Sequence, residues 1–531
     1  MFGRRSFWVV LVLGWCLLLK SGCPGPPVDG EAIQESSAAT DAGTRESTAG
    51  TAEAGPEPTQ EPQPEAGSEP GPEPQPEPQP ETKAERPPPL PFPSNYPPIT
   101  GGVILKDINP DPNIVEVNLE AKAMEYQLTP KHKFEIYAFN GMLPGPIIKA
   151  KLGDELIVNF TNNLKEMTTV HWHGQRVPEN MDGAPLVQVP VVPGGKFTYR
   201  FKIRDAGTYW YHPHVHSHYQ VEKGLYGMLI VQEKQPIAFD RDRAVILDDI
   251  LLTETGLAPF HTTEDEKVKG RIGSQLLLNG KPVPATYKAK VGERERWRLV
   301  NTANARIFRL DVKGEGVQVR VIGVDSGLLG KPLAFQPPLL ISPGQRFDLE
   351  IMYEKPGKVE LFTQVIVGSK YEDRKMFSVD VTGTAVSTLM AYPKYPEIPP
   401  LPNRPVTRRE TLTFELLDSP DPGGNHWTMN GKAHPIKPLF EFKTGDVVLF
   451  TLQHLGGPAH PFHLHGQFFE IVSRNGFPVG DEEPGLRDMV LVTLQERVVI
   501  KAYLDNPGRW MFHCHNLEHA TYGMMAHILV K

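Results

Sequence analysis

Three dipeptides set the frame of this chain. Asn140-Gly141, Asn279-Gly280 and Asn430-Gly431 each precede a Gly-acid pair that opens an apolar run, namely Gly153-Asp154, Gly292-Glu293 and Gly445-Asp446. The interval, counted from the glycine, is twelve to fourteen residues. Self-similarity at a fixed period marks one structural unit built several times, so three similar domains of about 145 residues each are expected. The runs themselves, such as Glu155 to Phe160, Arg296 to Val300 and Val447 to Thr451, are short and rich in Val, Ile, Thr and aromatics. Broken by Gly, Pro and Asn, they read as the strands of β-sandwiches. The expected fold class is therefore all-β, with three consecutive Greek-key sandwiches over residues 96–235, 236–385 and 386–531.

The first 95 residues belong to none of these. Arg4 and Arg5 precede an apolar run from Phe7 to Leu19, too short to span a bilayer comfortably, and small residues follow at Ser21 and Gly22 before Cys23. Residues 1–23 thus read as an export signal. Arg4-Arg5-Ser6-Phe7 resembles a twin-arginine signal and reads equally as an ordinary basic n-region. Ser21-Gly22-Cys23 looks like the end of a bacterial lipoprotein box, although Lys20 sits where that box prefers an aliphatic residue. The location expected is outside the cytoplasm, periplasmic or at the cell surface, with Cys23 as a lipid anchor. Residues 24–95 repeat Pro, Glu, Gln and Ala, as in Glu73-Pro74-Gln75-Pro76, with too little apolar surface to form a core. They are expected to be a disordered tether, reaching roughly 200 Å if fully extended. The formal net charge of -8 makes nucleic acid an improbable partner.

Histidines follow the repeat. Eighteen residues after Gly153 stands His171-Trp172-His173, and eighteen after Gly445 stands His463-Leu464-His465, whereas the same offset from Gly292 gives Leu310-Asp311-Val312. Five residues after Gly207 stands His212-Pro213-His214, and five after Gly508 stands His513-Cys514-His515, whereas Gly357 leads to Phe362-Thr363-Gln364. Core histidines would scatter. Matched pairs in the first and third repeats instead point to one metal cluster held between them, with the middle repeat as a spacer.

Cys514 adds a second site. It is the only cysteine after Cys23, so no disulfide can form within residues 96–531. In a strand, alternate side chains point to opposite faces. His513 and His515 then face one way and the sulfur the other, so one strand can serve two metal sites. Cys514, His519 and Met524 follow at five-residue steps, and His460 lies upstream. A thiolate with two imidazoles and a distant thioether is the ligand set of a blue-copper electron-transfer centre.

Together these motifs resemble those of the three-domain multicopper oxidases, among them bacterial laccases, copper-efflux oxidases and bilirubin oxidases. The likeness covers essentially all of residues 96–531, including Arg298-Leu299-Val300-Asn301 and Asp325-Ser326-Gly327-Leu328-Leu329. It implies three cupredoxin-like domains and four coppers per chain. A type 1 copper would be held by His460, Cys514 and His519 with Met524 axial, and a type 2 copper by His171 and His463. A type 3 pair would take His173, His212 and His515 on one ion and His214, His465 and His513 on the other. The implied reaction is one-electron oxidation of four donor equivalents, coupled through Cys514 to reduction of dioxygen to water.

Asp182, nine residues past His173, stands where similar oxidases place an acid beside the cluster, and is read as the proton donor. Ala520 follows His519 where many bacterial relatives have a Glu, and Glu518 should face differently. His216 and His218 are read as lying behind the ligands or exposed, Met525 as core, and His454 as a loop residue. Asp488 is either structural or a hydrogen-bonding partner near the type 1 site. No methionine-rich run exists between residues 350 and 531. Phenols, aromatic amines and similar small organic donors are therefore expected ahead of reduced metal ions, Cu(I), Mn(II) or Fe(II). Copper sequestration is the reading from another class, and a monomer is expected.

Overall fold

The computed structural model describes residues 98–235, 237–260, 263–385, 395 and 404–531, all within one unit, Pro89–Lys531. The export signal, Cys23 and the tether lie outside the described residues. Both expected junctions between domains, at 235/236 and 385/386, also adjoin residues outside them.

The chain is all-β. Two four-stranded sheets come first: His132–Phe139, Ile114–Thr129, Glu155–Asn163 and Lys196–Lys202 in one, Ile148–Lys151, Gly227–Gln232, Gly207–His212 and His171–His173 in the other. An eight-stranded sheet centred on Arg294–Asn301 and a five-stranded sheet centred on Gly357–Val367 follow. A six-stranded sheet centred on Asp446–His454 and a five-stranded sheet centred on Gly508–Cys514 close the chain. Each pair encloses its own apolar core, built from residues 115–231, 245–381 and 412–530. The expected periodicity is visible in Ile114–Thr129, where Val115, Val117, Leu119 and Ala121 are buried at every second position.

The three Asn-Gly pairs repeat down to single hydrogen bonds. Asn140, Asn279 and Asn430 have φ of 51°, 48° and 50°, followed by glycines at 69°, 73° and 68°. Positive φ at both positions is the I′ turn that matches the twist of a hairpin, and it selects this dipeptide. Each Asn Oδ1 then accepts from a backbone N–H of the neighbouring strand, at Glu120, Ile246 and Thr413, over 2.6, 2.8 and 2.7 Å.

The histidine pairs occupy equivalent ladder positions. His171 pairs with His212, and His463 with His513. In the middle repeat Leu310 pairs with Thr363, one residue beyond the matching offset, and the pairing of that strand with Lys370–Thr382 shifts register between Leu361 and Phe362. Among the described residues no helix is long and apolar enough to cross a membrane.

Candidate metal centre

The strand Gly508–Cys514 does what alternation requires. The Cys514 sulfur lies 3.7 Å from His460 Nδ1 and 3.4 Å from His519 Nδ1, and the two nitrogens are 3.1 Å apart. A triangle with such edges has its centre about 2 Å from each corner, close to the metal–nitrogen and metal–sulfur bond lengths of protein sites. His519 Nε2 donates to the Val268 carbonyl over 2.8 Å, which leaves Nδ1 with its lone pair toward the sulfur. Met524 is fully buried in the same apolar core as Cys514, and its carbonyl accepts the Cys514 N–H.

His513 and His515 lie on the other face, among six more buried imidazoles. Three ligand atoms come within 4.8 Å of one another in each of four groups: His171, His173 and His463; His171, His214 and His465; His173, His212 and His515; and His463, His465 and His513. The first and third repeats interlock here. The His173 ring stacks on His463 at 3.8 Å, and His171 on His465 at 4.0 Å. The ligand trio His173, His212 and His515 is brought together as expected. The rings of the other expected trio are as close, His214 lying 4.8 Å from His465 and 5.1 Å from His513, but its members fall in two separate groups, His214 with His171 and His465, and His513 with His463 and His465. His171 and His463, assigned to one ion, share a group with His173, their rings 5.8 Å apart.

Comparison with known proteins accords with this geometry. Two family models, both described as multicopper oxidase, match residues 120–236 and 409–531. Multicopper oxidase MmcO of Mycobacterium tuberculosis is 30% identical over 432 residues, covering 73% of this chain and 81% of its own. The chain belongs to the multicopper oxidase family. Laccase-1 of Botryotinia fuckeliana is 29% identical over 444 residues, covering 73% of this chain and 77% of its own. Among solved structures, a multicopper oxidase of Campylobacter jejuni described as a metallo-oxidase superposes with a TM-score of 0.72 at 27% identity, covering 82% of this chain and 96% of that one. Membership brings copper as the cofactor and dioxygen with a reduced donor as the substrates.

The donor atoms of this multicopper oxidase fit copper. Nε2 of His171, His212 and His463 is buried without a hydrogen-bond partner, while the opposite nitrogen, Nδ1, lies 2.7, 3.0 and 3.0 Å from a backbone carbonyl. Buried nitrogens left without partners are costly unless something occupies them, and imidazole suits copper. His173 differs: its Nε2 lies 3.0 Å from the Asp488 carboxylate, and both of its ring nitrogens are buried without a hydrogen-bond partner.

Two aspartates brace the cluster crosswise. Asp182 uses its carbonyl on His171 Nδ1, at 2.7 Å, and its carboxylate on His465 Nδ1, at 2.8 Å. Asp488 uses its carbonyl on His463 Nδ1, at 3.0 Å, and its carboxylate on His173. Each aspartate thus holds one imidazole of its own repeat and one from the other. Burial would raise the Asp488 carboxyl, but the Arg346 guanidinium and His463 hold it well below the usual carboxylate range. Of the two readings open for Asp488, structural or beside the type 1 site, the second is not what the fold gives: its carbonyl and carboxylate lie against His463 and His173 of the cluster.

Other readings are refined by the fold. His454 is not a loop residue: it ends the strand Asp446–His454, is buried, and stacks on His460 at 4.3 Å. Met525 is only half-buried and opens the last strand. His216 is exposed and His218 meets Thr521 Oγ1 at 2.7 Å, so neither joins the cluster. Glu518 faces the middle repeat, accepting from Arg271 N–H and Asn304 Nδ2, and burial pushes its carboxyl up to about 7. The middle repeat is more than a spacer. It supplies the Val268 carbonyl, and Gly344, with φ of 83°, sits where an added Cβ would be 3.0 Å from both His173 and His515. No spacing rule could have found Gly344, because it carries no ligand atom.

Without metal the oxidase holds these groups neutral. Burial pushes the Cys514 thiol well up, so a metal must displace its proton. Burial also pushes His513 and His519 down to about 3 from 6.5. Below pH 6.5 the unfolded chain takes up protons that the folded one refuses, so stability is lost as pH falls from 6.5 toward 3. Each such histidine costs about 1.4 kcal/mol per pH unit in that window. Urea unfolding of the metal-free protein at pH 7.5 and 5.5 should show a loss of about 3 kcal/mol from these two groups. A flat profile would contradict their burial as neutral imidazoles.

Proposed function

We propose that this chain oxidises reduced donors one electron at a time and delivers four electrons to dioxygen, giving two waters. Copper would supply the redox steps, held by the assigned residues: one ion by His460, Cys514, His519 and Met524, one by His171 and His463, and a pair by the two remaining trios. The observation that carries the reading is the position of Cys514. Its sulfur belongs to the His460 and His519 triangle, while the residues bonded to it on either side, His513 and His515, reach the cluster. Only a few covalent bonds then separate the two sites. His513 Nδ1 also lies 2.8 Å from the Cys514 carbonyl, a second link across the same residue. Asp182 is the proton donor for oxygen reduction, buried against His465. Export, anchoring through Cys23 and a monomeric state complete the proposal.

For the donor, the absence of a methionine-rich run after residue 350 and the similarity to a protein named laccase favour phenols and aromatic amines. One observation favours reduced metal ions instead. His519 is wholly buried, its Nε2 engaged by Val268 beneath the helix Glu264–Lys269, and the Trp427 ring lies 4.3 Å away. No edge of the imidazole is then offered to a ring-sized donor, and the Campylobacter jejuni relative is described as a metallo-oxidase. Oxygen uptake measured with a phenol, Cu(I), Mn(II) and Fe(II) in parallel separates the readings. A kcat/KM for the phenol at least about ten-fold above every metal, equivalent to about 1.4 kcal/mol, supports the laccase-like reading. The reverse order supports a metal oxidase, and uptake with none of them supports sequestration.

A further inference from the structure

The guanidinium of Arg346 joins all three repeats at one point. It comes from the strand Arg346–Tyr353 of the repeat that has no metal ligands, and it is buried. Its Nη1 and Nη2 donate to the two carboxylate oxygens of Asp488 in the third repeat, over 2.8 and 2.5 Å. Its Nε donates to the Thr208 carbonyl, over 3.2 Å, in the strand of the first repeat that ends at His212. Nη1 also donates to Gly344, whose α-carbon packs against His173 and His515. Gly174, directly after His173, leaves the space: a Cβ there would lie 2.4 Å from Nη2.

A bidentate guanidinium fixes the plane of a carboxylate as well as its charge. Asp488, so fixed, puts Oδ2 at 3.0 Å from His173 Nε2 and 3.3 Å from His463 Nδ1. The carboxylate is thereby set against two stacked imidazoles, one from each ligand-bearing repeat. We infer that Arg346 is a positioning residue of the copper cluster, acting through the Asp488 carboxylate to hold His173 and His463 in place. The middle repeat thereby sets the geometry of a site to which it gives no ligand. A lysine at 346 keeps the charge and loses the fork, and an asparagine at 488 keeps the shape and loses one acceptor.

The inference rests on the oxidase reading, and the test separates the two. Copper-loaded wild type, Arg346→Lys, Asp488→Asn and the double variant are compared by copper per chain, electron paramagnetic resonance of the type 2 signal, blue absorption, and the rate of reoxidation by oxygen after anaerobic bleaching. Expected are an unchanged blue band, an altered type 2 signal and reoxidation slowed at least about ten-fold in each single variant. The double variant should be no slower than Asp488→Asn within about two-fold, as for residues acting in one chain. Wild-type cluster signals in both single variants, or losses that multiply in the double variant, overturn the positioning role. If Arg346→Lys fails to fold, Asp488→Asn alone decides, an altered type 2 signal supporting the role and an unaltered one overturning it. A wild type that neither bleaches nor reoxidises defeats the oxidase reading, whereas a competent wild type with unaffected variants defeats only this inference.

Discussion

Replacing Cys514 by Ser should remove the blue colour and bring donor oxidation to background, at least about a thousand-fold down, equivalent to about 4 kcal/mol of barrier. The reason lies in two roles of one atom. The sulfur is the soft, anionic corner of the His460 and His519 triangle, and a serine hydroxyl is neither soft nor ionised at neutral pH. Cys514 is also the covalent bridge to His513 and His515, and that bridge survives the substitution. The cluster on the opposite face should consequently keep its copper, and the fold should survive. Exchanging sulfur for oxygen in a core costs about 1 to 3 kcal/mol, in the range of ordinary core substitutions. Absorption spectra, copper analysis and donor turnover on the same preparation check the expectation. Retained donor oxidation would refute the assignment of the triad.

The second large effect is expected at Asp182. Asp182→Asn should slow reoxidation by oxygen about 10²- to 10³-fold, the usual contribution of a positioned proton donor, while donor reduction of the type 1 site stays at the wild-type rate. An asparagine oxygen can still accept the 2.8 Å hydrogen bond from His465, and the carbonyl on His171 is untouched. The imidazoles should therefore hold their places, and what is lost is the ability to pass a proton. Anaerobic bleaching followed by rapid mixing with oxygen separates the two half-reactions. Equal slowing of both, or a loss of copper from the cluster, would mean that Asp182 only braces His465.

Glu518 faces the middle repeat. Its carboxyl is buried, raised to about 7, and turned toward Arg271 and Asn304. It does not stand in for the glutamate that relatives carry after the histidine equivalent to His519, where this chain has Ala520.

Much of this protein is legible in its residues because the information is local. An Asn-Gly pair dictates two positive φ angles wherever it occurs, and three copies at similar intervals announce three similar units. A side-chain period of two in a strand obliges Cys514 to face away from His513 and His515. Matched offsets then pick out eight of the ten candidate histidine ligands, His460 and His519 joining through Cys514, and chemistry names the metal. Asp182 could be chosen because it follows His173 closely.

Long-range contacts had no such signature. Asp488 lies 25 residues from His463 and 142 from Arg346, and only the packing of three sandwiches brings these residues together. Packing within the third sandwich carries His454 from an apparent loop onto the face of His460, and packing between sandwiches sets Val268 and Gly344 against imidazoles of other repeats. Ligand identity is written in spacing, because each histidine pair lies on one strand or at the end of one. Ligand orientation is decided in part between repeats: His171, His212, His463 and His513 are held by carbonyls of their own repeat, but His465 and His519 are held by Asp182 and Val268 of neighbouring ones, which only the packing of the sandwiches brings within 3 Å.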